Sequence, residues 1–120
     1  MLFDLSRTFA VNASSSSFTI GAATKVIAPA KLSISGNYSN TGVFVAGAGT
    51  TSFNGVGSQT ATGTMTGTSS FNHLVFTGNS SKTFTVNASS TNFTIGAGTQ
   101  VIAPTKLSIS GNYSNSGATG

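Results

Sequence analysis

Apolar and polar residues alternate along this chain with a period of two, in short bursts. In "KTFTVNA" Phe84 and Val86 fall on one face, with Thr83, Thr85 and Asn87 on the other. "NFTIG" places Phe93 and Ile95 around Thr94, "KLSISG" places Leu107 and Ile109 around Ser108, and "HLVFTG" does the same with Leu74 and Phe76. Two is the period of a half-buried strand, because successive side chains point to opposite faces. Each burst is bounded by Gly, Asn or Ser, which close strands and form turns. Helix signals are missing, since no Glu–Lys pairs stand four apart and glycine interrupts the chain every few residues. The pattern predicts an all-β chain of many short strands.

A duplication decides how those strands are arranged. "TFAVNASSSSFTIGAATKVIAPAKLSISGNYSNTG", residues 8–42, aligns without a gap on "TFTVNASSTNFTIGAGTQVIAPTKLSISGNYSNSG", residues 83–117, an offset of 75 with 28 of 35 positions identical. The anchors Phe84, Phe93, Ile102 and Ile109 step by seven to nine residues, the rhythm of strand plus tight turn in a parallel β-helix. At a usual coil length of about 18 to 25 residues, one offset spans three or four coils. The alternative is an antiparallel β-sandwich, with Asn54-Gly55 as a hairpin turn. A sandwich has little reason to carry one block at both ends, whereas a solenoid adds copies indefinitely. Residues 1–120 are therefore expected to form a single β-solenoid segment.

Composition makes this an unusual polar surface. Charged residues are 5% of the 120, and Asp4 is the only acid. A usual charged share is about 25%, so solubility must come from hydroxyls and amides. The net charge of +4 rests on Arg7, Lys25, Lys31, Lys82 and Lys106, spread singly, and there is no Trp. Without a basic run or stacking platform, nucleic-acid binding is not expected, and the lysines read as solvated turns and strand-edge protection. Phe, Val and Ile recur too regularly for disorder, and mean hydropathy is +0.18. The absence of cysteine excludes disulfides and thiolate metal sites. No apolar run approaches the roughly 20 residues needed to cross a membrane, so membrane insertion is not expected. "MLFDLSRTF" does not read as a secretory signal as it stands.

The candidates for chemistry are few. Glycoside hydrolysis needs two carboxylates and the chain has one. His73 is the only imidazole and has no acid nearby in sequence to orient it, so it reads as a surface or core-edge residue. Calcium-binding nonapeptides need acids that are not present. The glycines of "VAGAGTTSF" lack the Gly-Lys-Ser/Thr of a phosphate loop and read as turn glycines. The chain is not expected to be an enzyme or to hold a cofactor or metal.

"GTTSFNGVGSQT" from Gly49, "SSFNHLVFTG" from Ser69 and "KLSISGNYSNTG" from Lys31 resemble the Thr/Asn/Gly-rich repeats of large bacterial surface proteins, among them autotransporter-like and filamentous-haemagglutinin-like adhesins. That resemblance implies an extracellular or cell-surface parallel β-helix serving as stalk, adhesin or fibre.

Three non-catalytic features follow. In "TATGTMTGT", Thr60, Thr62, Thr64, Thr66 and Thr68 would share one strand face, an arrangement that resembles ice-binding solenoids; its plain reading is good strand formers beside crowded glycines. Asn12, Asn37, Asn79, Asn87, Asn92 and Asn112 each open an Asn-X-Ser/Thr sequon. They are glycosylation candidates, although a chain this rich in Asn and Ser produces sequons by chance, and a bare Asn can instead bond a turn. Solenoid ends leave unpaired backbone groups and no cap is visible, so Phe3, Leu5 and Phe9 are candidate joint residues for head-to-tail association of copies of the chain. Tyr38 and Tyr113 are the aromatics best suited to binding surface glycans.

Overall fold

Among the described residues all strand pairs are parallel, and no strand pairs with its neighbour in sequence. That connectivity is a solenoid, and the computed structural model describes it over residues 5–119. The first turn carries β1 (Leu5–Thr8), β2 (Ala13–Ser15) and β3 (Phe18–Ile20); the second β4 (Thr24–Ile27), β5 (Lys31–Ile34) and β6 (Tyr38–Asn40); the third β7 (Val43–Val45), β8 (Thr50–Phe53) and β9 (Gln59–Gly63). In the fourth a 3-10 turn at Gly67–Ser69 replaces the first strand, before β10 (Phe71–Phe76) and β11 (Ser81–Phe84). In the fifth β12 (Ala88–Ile95) runs through two sides before β13 (Gln100–Ile102), and β14 (Leu107–Ile109), β15 (Tyr113–Asn115) and β16 (Ala118–Thr119) make the sixth. The described residues thus wind about six three-sided turns, 47 Å in longest extent against 26 and 22 Å.

The sandwich is excluded by the pairing of β8, which joins β5 and β10 and never β9. Asn54-Gly55 consequently rounds a corner between two sides instead of closing a hairpin. Rungs repeat every 18 residues at the shortest, Lys25 to Val43, and every 23 at the longest, Tyr38 to Ala61.

The duplicated block does not fall on the same sides in its two copies. Ascending from Ala13, the column passes Leu32, Thr51 and Leu74 and reaches Phe93, five residues beyond Ala88, the repeat equivalent of Ala13. Ala88 stands on the preceding side, over Met65 and under Leu107. An offset of 75 residues therefore spans eleven sides, three whole turns and two sides more, and the second copy is rotated by one side of the triangle. The same local sequence closes different corners. Gly42 and its equivalent Gly117 each lie so near a carbonyl of the rung below that a Cβ would fall 2.2 Å from Thr24 O and 2.1 Å from Thr99 O.

Inward residues form one continuous core containing Ile20, Leu32, Ile34, Phe44, Phe53, Met65, Leu74 and Ile95. Its axis is a file of rings, each 4.9 to 6.3 Å from the next, from Phe18 through Tyr38, Phe71, Phe53 and Phe76 to Phe93. Such separations are those of favourable offset and edge-to-face pairs.

Several parity expectations are corrected here. Ile102 is 40% exposed and Val101 faces inward, because β13 pairs Val101 with the inward Lys82. Val86 is exposed because β11 ends at Phe84 and the alternation stops there. Lys82 is not a solvated turn residue but is enclosed in the lumen at 1% exposure.

Candidate functional site

Outer faces, corners, rung ends and lumen each place some of the candidate residues. The five threonines do not share a face. Thr60 and Thr62 point outward from β9, which stops at Gly63, while Thr64, Thr66 and Thr68 lie on the exposed corner and the 3-10 turn beyond it. A different set comes together: Thr60 pairs with Thr83, and Thr85 Oγ1 donates to Thr62 Oγ1 at 2.7 Å, a two-by-two array over two rungs. Ser39 and Thr19 prolong one file of this array below. The sequence signal was the duplicated Thr-X-Thr of "TAT" and "TFT", one coil apart.

The sequon asparagines lie at corners or strand edges, and three are engaged in the ladder. The side-chain carbonyl of Asn37 accepts the Thr60 amide (3.0 Å), Asn87 that of Lys106 (3.0 Å) and Asn92 that of Asn112 (2.9 Å). Each Asn thus satisfies a backbone donor of the rung above, at a corner where the strand ladder lapses. Asn12 and Asn112 are exposed, and Asn79 is exposed in a turn with φ of 57°. The one-side rotation puts Asn12 and Asn87, and likewise Asn37 and Asn112, at different corners.

Of the joint candidates, Phe3 lies outside the described residues, and so does the side chain of Leu5, which opens β1. Phe9 is 37% exposed, with its ring 6.3 Å from Phe18. The two tyrosines differ although their local sequences match. Tyr113 is 50% exposed on the last rung, whereas Tyr38 is fully buried and cannot meet a glycan. Burial pushes the Tyr38 phenol well above its ordinary pKa, and its hydroxyl has no hydrogen bond of ordinary geometry although Asn40 lies beside it. Because a buried donor without a partner is costly, Tyr38→Phe should stabilise the fold by about 1 kcal/mol in a denaturant melt.

The feature that sequence reading missed is a polar knot inside the lumen. Gln59 Nε2 donates to the carbonyls of Ile34 (2.8 Å) and Gly36 (2.6 Å), and its Oε1 accepts from the Gly55 amide (2.8 Å). Above it, Lys82 Nζ donates to Gln59 Oε1 (2.5 Å), Gly55 O (2.8 Å) and Ser80 Oγ (2.8 Å). Every partner of the ammonium is neutral, and burial lowers its pKa from 10.5 to about 8. The signal was there in "SKTF", where an inward Phe84 requires an inward Lys82.

Among the described residues no three His, Cys, Asp or Glu gather as metal ligands, and His73 is half-buried on the outer face of β10. No helix there is long and apolar enough to cross a membrane. Comparison with protein-family models, with curated proteins and with solved structures finds no match to this chain.

Proposed function

We propose that the chain is a structural segment of an extracellular filament or surface adhesin, built for length and for a uniform neutral surface, and joined head-to-tail by stacking of rungs. The rotation of the repeat carries this reading. A ligand-binding face would need equivalent residues to recur on one side, whereas an advance of eleven sides sends the second copy's outer residues to the preceding side. Repetition then contributes length and an even coat of hydroxyls and amides. The Thr array is two rungs deep, and the rotation moves the corresponding residues of the other block off that side, which favours a stalk over an ice-binding face. The low charge agrees with stacking, since like rungs meet without ionic repulsion. Electron micrographs of the purified chain at rising concentration test the proposal. Uniform filaments that persist in high salt are the expected result, and particles that stay single at every concentration would reject the head-to-tail joint.

A further inference from the structure

The chain contains one Asn-Gly pair, Asn54-Gly55. In this dipeptide the backbone attacks its own side chain most readily, because glycine puts no side chain in the way of the ring that forms. The Gly55 nitrogen adds to Asn54 Cγ, the bond from Cγ to Nδ2 breaks, and Nδ2 leaves as ammonia with the proton that the Gly55 amide gave up. Water then opens the resulting succinimide at either carbonyl, giving aspartate or isoaspartate. Only water is consumed, so control rests on whether the Gly55 nitrogen is free to attack.

In the fold it is held. Asn54-Gly55 rounds the corner between β8 and β9 in the third turn, with turns of the coil below and above it. Asn54 is exposed, but Gly55 is buried. The Gly55 N–H donates to the buried Gln59 Oε1 at 2.8 Å, and its carbonyl accepts Lys82 Nζ at 2.8 Å and Ser80 Oγ at 3.0 Å. Gln59 is fixed in turn by its donations to Ile34 O and Gly36 O in the rung below. Attack requires the Gly55 nitrogen to leave Gln59 and turn toward Asn54 Cγ. It would have to carry with it a glycine packed so closely that a Cβ would lie 2.0 Å from Ser35 O.

The product suits this corner no better. Isoaspartate adds one carbon to the main chain immediately before Gly55, between Ser35 O beneath and Gly78 above, where a Cβ on Gly78 would already lie 2.2 Å from Gly55 O. A converted corner therefore cannot keep the spacing of the rungs.

We propose that Asn54 is a conditional modification site, closed in the wound solenoid by Gln59 acting as a latch on the Gly55 amide, and converted when this corner opens. Local opening of a few rungs is enough to expose it. The polar knot thus has a chemical role besides cohesion: it keeps the backbone of the third turn unaltered, and a chain that has stayed open long enough to convert does not rewind the corner. This holds for the single chain, whether or not it assembles.

The test follows the Asn54 peptide by mass spectrometry during incubation at mildly alkaline pH, for wild type folded, wild type in guanidinium chloride, Lys82→Met and Gln59→Leu. Both variants are first examined by circular dichroism for retention of the fold. Conversion at least about tenfold slower in folded wild type and in Lys82→Met than in denaturant is expected, with folded Gln59→Leu faster than folded wild type by about fivefold or more. Folded wild type converting at the denatured rate would overturn the closed site. Folded Gln59→Leu converting as slowly as wild type would overturn the latch. Where Gln59→Leu does not keep the fold, hydrogen exchange of the wild type decides against the Asn54 amide, which donates to Ile34 O at 3.0 Å. A Gly55 amide exchanging no faster than that of Asn54 supports the latch, and one exchanging faster overturns it.

Discussion

Gly63→Ala should destabilise the solenoid by on the order of 3–4 kcal/mol, a large share of the stability of an ordinary domain. Two effects add at this position. Gly63 ends β9 with φ of 92°, a conformation that an L side chain rarely adopts. A Cβ there would also fall 2.0 Å from the carbonyl oxygen of Asn40, in the backbone of the rung below. Relief would require the two rungs to part. They are held where they are by the Thr64 amide, which donates to that same Asn40 carbonyl at 2.8 Å, and by Asn40 Nδ2, which donates to Thr64 O at 3.0 Å. Two other glycines separate the contributions. Gly47 has φ of 59° and open space around it, so Gly47→Ala should cost about 1 kcal/mol from conformation alone. Gly57 has open space and no positive φ, so Gly57→Ala should be neutral or stabilise by up to about 1 kcal/mol through the unfolded chain. Urea melts of the three variants give the comparison. Similar losses at all three would show that rung contact is not what fixes these glycines.

The strands and their stacking were legible because burial on one side of a thin wall forces the period of two, and because a block repeated at 75 residues suits a coil better than a sandwich. Phe84, Phe93, Leu74 and Phe76 face inward as the alternation required. What the sequence hid was the phase across each corner. "VIAP" offers three apolar residues in a row, and only the register with Lys82 selects Val101 over Ile102. Corner length also decides which side a copy occupies, and nothing in the block itself shows that eleven sides separate the copies. Tyr38 and Tyr113 stand in the same decapeptide, yet one is buried and the other half exposed, because exposure depends on whether another rung covers them. A polar residue's type says nothing of its parity, which conceals the inward Gln59 beside Ala61, Asn40 beside Tyr38 and Lys82 beside Phe84.

Lys82→Met should raise stability at neutral pH by roughly 1–3 kcal/mol, while Gln59→Leu, one rung below, should lower it by about as much or more. The opposite signs follow from what each change leaves behind. Without the ammonium, Gln59 Oε1 still accepts the Gly55 amide, and Gly55 O still accepts Ser80 Oγ at 3.0 Å, so no buried group loses its last partner. Without Gln59, the Gly55 amide loses its acceptor, the carbonyls of Ile34 and Gly36 lose a donor, and Lys82 keeps its charge with one acceptor fewer. The pH dependence identifies the ammonium as the cause. Below about pH 8 the amine is charged both in the fold and in the unfolded chain, and the full cost of burying it is present. Between about 8 and 10.5 the native state gives up its proton before the unfolded state does, so wild-type stability should climb relative to Lys82→Met by on the order of 2–3 kcal/mol. Near and above pH 10 the buried Tyr38 acts the other way, because the unfolded phenol ionises and the native one does not; it is present in both proteins and cancels in the difference. Melts of the pair at pH 7, 8, 9 and 10 would show the gap narrowing, and a gap constant across that range would mean that the Met variant gains through packing alone, with the enclosed charge contributing nothing.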